Sequence, residues 1–343
     1  FANVLPFSAT WLGPMQKRDL LIIILAAGKG TRMRSTQPKV LHGIGGRSLL
    51  GHVCAATIGA GASRVVTIVG PAMESVAAEA RRWVPSAETA VQLNQMGTGD
   101  AALAARGAIE RHHGNVVFLF GDTPLIRSET IAEVARSLDF GADVVVVGFR
   151  PPDPTGYGRV LRDGGGQVIA IREHKDATDD ERREGLCNSG IMGFRSDDLL
   201  AILASIGNSN TKGEYYLTDA IEIARARGRV VSAIEASVDD AFGINDRVQL
   251  ADAESILQQR LRRHAMLGGA TLVAPETVHF SYDTRLGQDV TVDEVNAAYA
   301  EAAKTGPLKD VLVYTDERDS KSTGLPDLNN RAFVVKWAPL VRF

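Results

Sequence analysis

Short apolar runs alternate with longer amphipathic stretches from residue 20 onward, and this alternation limits the folds that the chain can adopt. The apolar runs are rich in β-branched residues, which is typical of strands that are buried on both faces. The stretches between them carry apolar residues at the spacing of one helix face. The predicted strands are 21–25, 65–69, 116–120 and 144–147, and the predicted helices between and after them are 49–61, 73–83, 99–110 and 129–138.

This order of elements predicts an α/β fold in which helices flank a mostly parallel sheet. Ligands of such sheets bind beyond the carboxyl ends of the strands. The regular alternation ends after Arg150, where residues 156–166 predict a β-hairpin that would cover one side of a pocket. Further helices are predicted at 197–204, 217–227 and 246–267.

The segment 25–33 directly follows the first predicted strand and combines small residues, two glycines and basic side chains. Small residues let the backbone approach a nucleotide, and glycines permit turns that direct N–H groups at phosphate oxygens. Arg32 and Lys39 can neutralise a polyphosphate and the charge that develops during its transfer. The segment therefore predicts nucleotide binding rather than a glycine turn with solvated basic residues. Its spacing fits neither a Walker loop nor a GxGxxG fingerprint, in which Met33 would have to be glycine.

The run LAAGKGTRM at 25–33, followed by Pro38 and Lys39, resembles the signature of nucleotide-sugar pyrophosphorylases. Seven further segments are similar to the uridylyltransferase domain of the bifunctional bacterial N-acetylglucosamine-1-phosphate uridylyltransferase and glucosamine-1-phosphate acetyltransferase family. The resemblance covers about residues 20–290 and implies the Rossmann-like fold of nucleotide-diphospho-sugar transferases. The seven segments are 95–99, 120–125, 153–159, 173–178, 188–191, 213–219 and 243–247.

The resemblance implies a Mg²⁺-dependent uridylyltransferase that joins UTP to N-acetylglucosamine 1-phosphate. The products would be UDP-N-acetylglucosamine, a precursor for peptidoglycan and lipopolysaccharide, and pyrophosphate. The sugar phosphate is already anionic, so in-line attack on the α-phosphorus needs neither an enzyme nucleophile nor a general base. Two alternatives remain open: a nucleotidyltransferase for another sugar phosphate or base, and a non-catalytic regulator that binds nucleotide sugars.

Three residues are the catalytic candidates, namely Arg32, Lys39 and Asp122. Asp122 follows a predicted strand at the edge where ligands bind, and a carboxylate there suits Mg²⁺, which takes few protein ligands. The resemblance implies Asn245 as the second metal ligand. From the residues alone, Asp122 could instead form a turn, and Asn245 could cap the helix that follows it.

The resemblance also implies which residues bind the two substrates. Gln92 matches the family's base-reading glutamine, whose amide can pair with uracil. On the sugar side, glycine permits close approach, while carboxylate and amide groups bind hydroxyl and acetamido groups. The candidates for UTP are Leu25, Ala26, Ala27, Gly28, Lys39, Gln92, Gly97 and Thr98, and those for the sugar are Gly158, Glu173, Asn188, Tyr216, Thr218 and Asn245.

The chain departs from the family at Phe120, where tyrosine is expected, and in its last fifty residues. Residues 286–292 look like one turn of the left-handed β-helix that carries the family's acetyltransferase activity, and nothing repeats after it. One turn cannot bury its own apolar face, so we expect no acetyltransferase activity from this chain. Residues 291–316 are weakly similar to a glyceraldehyde-3-phosphate dehydrogenase segment, from which no activity is transferred.

These observations divide the chain into five parts. We expect an N-terminal appendage at 1–19, a nucleotidyltransferase domain at 20–245 and a helical arm at 246–267. The start of a truncated β-helix at 268–292 and an atypical tail at 293–343 follow. The family forms trimers largely through its β-helix, so the loss of the β-helix here is compatible with a monomer.

Composition excludes several other classes of protein. A net charge of −3 gives no general attraction to nucleic acid or anionic membrane. The longest apolar run, 20–27, is too short to span a bilayer. Cys54 and Cys187 cannot form a disulfide framework or a metal cage, which fits a cytoplasmic protein, and we expect both to be buried small residues.

Overall fold

The computed structural model describes residues 18–28 and 30–284, together with positions 301 and 304. The chain divides into two compact units, residues 1–282 and 283–343, and the elements below belong to the first. The predictions of a β-helix turn at 286–292 and of a dehydrogenase-like segment at 291–316 fall almost entirely outside the described residues. So does most of the predicted appendage at 1–19.

Within the described residues of this unit, the regular structure consists of eleven strands, eight α-helices and five short 3₁₀ helices. The strands are β1 Asp19–Leu25, β2 Gly43–Ile44, β3 Arg47–Ser48, β4 Arg64–Val69, β5 Glu88–Val91, β6 Gly114–Phe120, β7 Val144–Phe149, β8 Arg159–Arg162, β9 Val168–Arg172, β10 Cys187–Arg195 and β11 Val231–Glu235. The helices are α1 Leu49–Gly59, α2 Glu74–Trp83, α3 Thr98–Ala104, α4 Arg106–Glu110, α5 Ser128–Asp139, α6 Ser196–Ala204, α7 Ala220–Ala226 and α8 Arg247–Leu267.

One nine-stranded sheet forms the centre of the fold, in the order β11-β7-β10-β6-β1-β4-β5. Strands β5, β4, β1 and β6 are parallel to one another, and β11 is parallel to β7. Strand β10 is antiparallel to both of its neighbours, β6 and β7. The β8–β9 hairpin adds to β10 at one side. The mostly parallel sheet flanked by helices confirms the predicted fold class.

Two apolar cores cover the two faces of this sheet. Consecutive residues of β1 alternate between them: Ile23 packs into the core under α3, α6 and α7, while Ile22 and Ile24 pack under α1, α2 and α5. This is the two-residue period of a strand that is covered on both sides. On the helix side, α5 buries Ile131 and Val134 at helical spacing.

The predicted strands and the hairpin are confirmed with small changes in their bounds, one predicted helix is wrong, and one central strand was not predicted. The single helix expected at 99–110 is two, because the chain turns at Ala105 between α3 and α4. The sequence analysis predicts no strand at β10, whose antiparallel direction places Asn188 opposite Gly148, near the carboxyl end of β7. An apolar run has no preferred direction in a sheet, so only the tertiary structure sets this.

A third, smaller core lies beside α8. It joins Leu257 of α8 to Ile44 of β2, Leu125 and Ile244, so this helix packs directly on the main unit. Within the described residues, no helix combines the length and apolar character that a membrane span requires.

Candidate active site

A cluster of four polar side chains lies next to the carboxyl ends of β1 and β6. The ammonium of Lys39 donates to the carboxylate of Asp122 and also to the amide oxygen of Asn245, at 3.3 Å. Arg32 Nη2 donates to the same Asn245 oxygen at 2.9 Å. The structure thus brings together all three catalytic candidates and the second candidate metal ligand, although they are far apart in sequence.

The backbone fixes Asn245 close to Asp122. Ile244 N donates to the carbonyl of Asp122 at 3.0 Å, and the buried side chain of Ile244 anchors this connection. Asp246, not Asn245, caps α8, since its side chain accepts from the amides of Val248 and Gln249. The capping role considered for Asn245 is therefore excluded, and its amide oxygen accepts only from Arg32 and Lys39 among the described hydrogen bonds.

The donor set at this point suits a hard divalent cation. The carboxylate of Asp122 and the amide oxygen of Asn245 already converge on one positive group, the Lys39 ammonium. Among the described residues there is no group of three or more His, Cys, Asp or Glu side chains that could hold a metal. Two oxygen ligands from protein fit Mg²⁺, which usually keeps several waters and takes further oxygens from substrate phosphates.

The glycine-rich loop lies against this cluster. A Cβ on Gly30 would come within 2.5 Å of Lys39 Cβ, and Gly30 has a φ of +59°. Glycine is therefore required where the loop passes Lys39. On the other side, Gln95 Nε2 donates to the carbonyl of Ala27 at 2.6 Å, and Ala26 N donates to Ile68 O at 2.9 Å. The nucleotide candidates 25–28 thus form a supported loop at the end of β1.

Gln92 is buried just after β5, with 6% of its surface exposed, so it is not a solvated strand-end glutamine. Its Nε2 group donates to Gly97 O and to Asp100 Oδ2, both at 2.8 Å. These two bonds use both amide hydrogens and leave Oε1 as the acceptor.

Asp100 is a member of this arrangement that the sequence interpretation missed. Its carboxylate also accepts from Met96 N, at 3.1 Å, and so holds the loop 92–97 around Gln92. Aspartate is common in the first turn of a helix, where it stabilises the helix dipole. Its position in α3 therefore carried no distinct functional signal.

The loop after β5, which carries the nucleotide candidates Gly97 and Thr98, is joined to the segment 215–218, which carries sugar candidates. Tyr215 N donates to Met96 O, and Gly99 N donates back to Tyr215 O at 2.7 Å. Thr98 Oγ1 accepts from Leu217 N at 2.9 Å. Gly97 has a φ of +109°, and a Cβ there would lie 2.6 Å from Tyr215 O. The two predicted substrate regions therefore share one loop junction.

The sugar candidates form two neighbouring contacts. Asn188 N donates to Gly158 O at 2.8 Å, which places the start of β10 beside the β8–β9 hairpin. Thr218 Oγ1 donates to Glu173 at 3.4 Å. Burial raises the pKa of the Glu173 carboxyl, against the opposing effect of the Lys212 ammonium. Burial and nearby carboxylates raise the pKa of Tyr216 to about 12, so its hydroxyl stays protonated.

Both cysteines are buried, as expected. Burial raises the pKa of the Cys54 thiol to about 12, and it also raises the pKa of Cys187. A thiol with a raised pKa is a poor nucleophile. Neither cysteine is therefore a candidate for covalent catalysis.

A glycine-rich loop after the first strand, two cations and a pair of oxygen donors at the same sheet edge are the arrangement expected of a nucleotidyltransferase domain. The family model of the MobA-like NTP transferase domain matches residues 22–179, which include the loop, Asp122 and Gln92.

Sequence comparison narrows the class further. The chain is 58% identical over 279 residues to the bifunctional protein GlmU of Azorhizobium caulinodans, covering 81% of this chain and 62% of that protein. It is 54% identical over 279 residues to GlmU of Xanthobacter autotrophicus, with the same two coverages. It is 50% identical over 280 residues to GlmU of Rhodopseudomonas palustris, covering 82% and 62%. The chain is thus similar in sequence to the GlmU proteins and spans 62% of the length of these relatives.

Proposed function

We propose that this chain transfers the uridylyl group of UTP to N-acetylglucosamine 1-phosphate, forming UDP-N-acetylglucosamine and pyrophosphate. The observation that carries the proposal is the cluster of Arg32, Lys39, Asp122 and Asn245 beside a glycine-rich loop. Homology to GlmU proteins supports the choice of substrates and a role in supplying cell-wall precursors.

The transfer needs no residue that forms a covalent bond to substrate. An oxygen of the sugar phosphate attacks the α-phosphorus of UTP, and the bond from that phosphorus to the β-phosphate bridging oxygen breaks, which releases pyrophosphate. The enzyme has to hold two anions close together and neutralise the charge that develops. Lys39 and Arg32 carry the positive charge for this purpose.

The proposed cofactor is Mg²⁺, held by Asp122 and Asn245. When bound, the ion neutralises phosphate charge and orients the phosphate oxygens. The ammonium of Lys39 contacts both oxygen ligands in the described structure, so it would turn toward the phosphates when the ion binds.

Binding of the base is assigned to Gln92. Its Oε1 accepts the uracil N–H, while Gly97 O and Asp100 hold its NH₂ group in this orientation. Cytosine has no N–H at the corresponding ring position, so the fixed acceptor favours uracil.

Binding of the acetylated sugar is assigned to the other side of the site. Glu173 and Asn188 offer hydroxyl-binding groups, and Gly158 leaves room for the ring. Tyr216 and Thr218 complete the proposed subsite. We further propose that the chain acts in the cytoplasm.

The direct test measures pyrophosphate release from UTP and N-acetylglucosamine 1-phosphate, with Mg²⁺ and after addition of EDTA. We expect turnover with Mg²⁺, loss of turnover with EDTA and recovery when Mg²⁺ is restored. Parallel reactions with other nucleotides and sugar phosphates test the choice of substrate. Nucleotide binding without turnover would instead support a regulator, and faster turnover with another pair would reassign the substrates.

A further inference from the structure

Two hydrogen bonds connect the turn that carries Arg32 with the start of α8, one at Asn245 just before the helix and one at Arg247, its first residue. Arg32 Nη2 donates to Asn245 Oδ1 at 2.9 Å, and in the opposite direction Arg247 Nε donates to Met33 O at 3.1 Å. The two pairs join neighbouring positions on both segments. Arg247 therefore holds the backbone next to Arg32 at the point where Arg32 reaches Asn245.

The turn that carries Arg32 is poorly supported by its own residues. It is a single 3₁₀ turn at Thr31–Met33, flanked by Gly30 and Arg34, both in the left-handed backbone region. This conformation is unfavourable for a non-glycine residue such as Arg34. Thr31, Arg32 and Arg34 are exposed, and only Met33 is buried. An outside contact is thus needed to fix the direction of Arg32.

Helix α8 also contacts the chain segments that follow the other two catalytic candidates, Lys39 and Asp122. Glu254 accepts from Gly45 N at 2.7 Å, in the β2–β3 turn that follows Lys39. Arg260 Nη1 donates to Leu125 O at 2.8 Å, in the loop that follows Asp122. Positions 247 and 254 are seven residues apart, about two turns, and share one side of the helix, whereas Arg260 lies six residues further on, about 120° around the helix axis. Each of the three side chains contacts the backbone of a different segment: the turn Thr31–Met33, the β2–β3 turn, or the loop that follows Asp122.

We propose that Arg247 is a positioning residue for the transfer reaction, which acts by fixing the turn Thr31–Met33 and thereby the guanidinium of Arg32. The proposal rests on the proposed function, because Arg32 is assigned to the developing phosphate charge. The described hydrogen bond of the Arg247 side chain is to the backbone carbonyl of Met33, outside the cluster of Arg32, Lys39, Asp122 and Asn245. Its effect on turnover must therefore depend on the presence of Arg32.

The test is a double-mutant cycle on Arg32→Ala and Arg247→Ala. We expect Arg247→Ala to lower kcat about tenfold, since small displacements of a positioned group reduce rates by factors up to ~10². The KM for UTP should change much less than kcat. In the Arg32→Ala background, adding Arg247→Ala should lower kcat by less than about twofold, because coupled residues are not additive. Independent, multiplicative effects would overturn the proposal, as would a change confined to KM.

Two further variants separate positioning from loss of structure. Arg247→Lys retains a donor for Met33 O and should recover part of the lost kcat. Arg262→Ala is the matched control, because Arg262 lies on the same helix and also donates to backbone carbonyls, those of Glu276 and Val278, at 3.3 and 3.1 Å. We expect near wild-type kcat for Arg262→Ala. An equal loss in this variant would mean that α8 stabilises the fold without a specific role for Arg247.

Hydrogen exchange provides a readout that does not require turnover. The amides of Met33 and Arg34 donate to Gly30 O and Thr31 O, so they report directly on the turn. Arg247→Ala should increase their exchange, with no change in β1 and no increase in Arg262→Ala. If wild-type protein shows no pyrophosphate release, the proposed function fails, but faster exchange would still support anchoring by Arg247. Unchanged exchange of these amides would overturn the anchoring itself.

Discussion

The ammonium of Lys39 donates a hydrogen bond to the carboxylate of Asp122, across 83 residues of sequence. Both side chains are mostly covered, with 11% and 20% of their surfaces exposed. A partly buried charge is unfavourable unless an opposite charge compensates it. The pair therefore keeps a cation and the proposed anionic metal ligand together at the edge of the sheet, where the phosphates are proposed to bind.

Removal of either member of this pair should abolish most turnover. We expect Lys39→Ala and Asp122→Ala each to lower kcat for pyrophosphate release by ~10²-fold or more, as loss of charge stabilisation in a transition state does. The assay uses saturating substrates and Mg²⁺. Asp179→Ala removes a carboxylate that is 92% exposed and should leave kcat unchanged. Near-normal kcat in either test variant would exclude that residue from the mechanism.

Gln92 should control the affinity for the nucleotide. Gln92→Ala removes the proposed uracil acceptor, and we expect the KM for UTP to rise about tenfold, equivalent to one hydrogen bond of about 1.4 kcal/mol. The KM for N-acetylglucosamine 1-phosphate should change little and serves as the internal control. Gln92→Glu keeps an acceptor but places a second carboxylate 2.8 Å from Asp100, so it should bind UTP still more weakly. Unchanged KM values for UTP would refute the assignment.

Gly97 should tolerate no side chain. In Gly97→Ala, the new Cβ would lie 2.6 Å from Tyr215 O at a φ of +109°, so both backbone strain and a clash are expected. We predict a loss of roughly 1–3 kcal/mol in the free energy of unfolding and higher KM values for both substrates. Gly141→Ala is the control, because Gly141 has a φ of +110° and nothing within 4 Å of its Cβ position. Equal losses of stability, with normal KM values, would rule out the clash.

His52 should make the stability depend on pH. Burial lowers the pKa of its imidazole to about 4, and Nε2 contacts Ile44 O at 2.9 Å. Above pH 6.5 both folded and unfolded states hold a neutral imidazole. Between pH 6.5 and 4 only the unfolded state takes up the proton, so stability falls as pH falls, and the loss levels off below about pH 4.

Urea unfolding of wild type and His52→Gln across pH 4–7 measures this effect. Glutamine retains a donor for Ile44 O but does not titrate. The wild type should lose on the order of 3 kcal/mol more than His52→Gln over this range, at about 1.4 kcal/mol per pH unit. His264→Gln replaces an exposed histidine and should follow the wild type. Parallel curves for wild type and His52→Gln would show that His52 does not titrate differently on folding.

The strands of the sheet differ in how well the local sequence pattern predicts them. The strand β1 is apolar on both faces, and so are β4, β6 and β7, which made them identifiable without tertiary information. Strand β5 is only partly buried and β10 contains two glycines, so neither has a strong apolar run. The break at Ala105 likewise depends on packing rather than on any helix-breaking residue.

The candidate site shows the same division. The loop 25–33 was identifiable because glycines, small residues and cations follow a strand within one short segment. Two contacts were not identifiable from the sequence: that of Gln92 with Asp100 and that of Arg247 with Met33 O. Asp100 and Arg247 each lie in the first turn of a helix, and nothing in their local sequence points to these partners. Resemblance to a family supplied Asn245, which its own neighbourhood would have assigned to capping.

The sequence by itself determined the α/β class, the nucleotide loop and the residue types available for phosphate and metal binding, because these depend on periodicity and on short contiguous segments. Only the tertiary structure decided that Lys39 contacts both Asp122 and Asn245, that β10 is antiparallel to its neighbours, and that α8 contacts the backbone at Met33, Gly45 and Leu125. Contacts between distant segments depend on how the apolar faces pack together, and no local pattern encodes that packing.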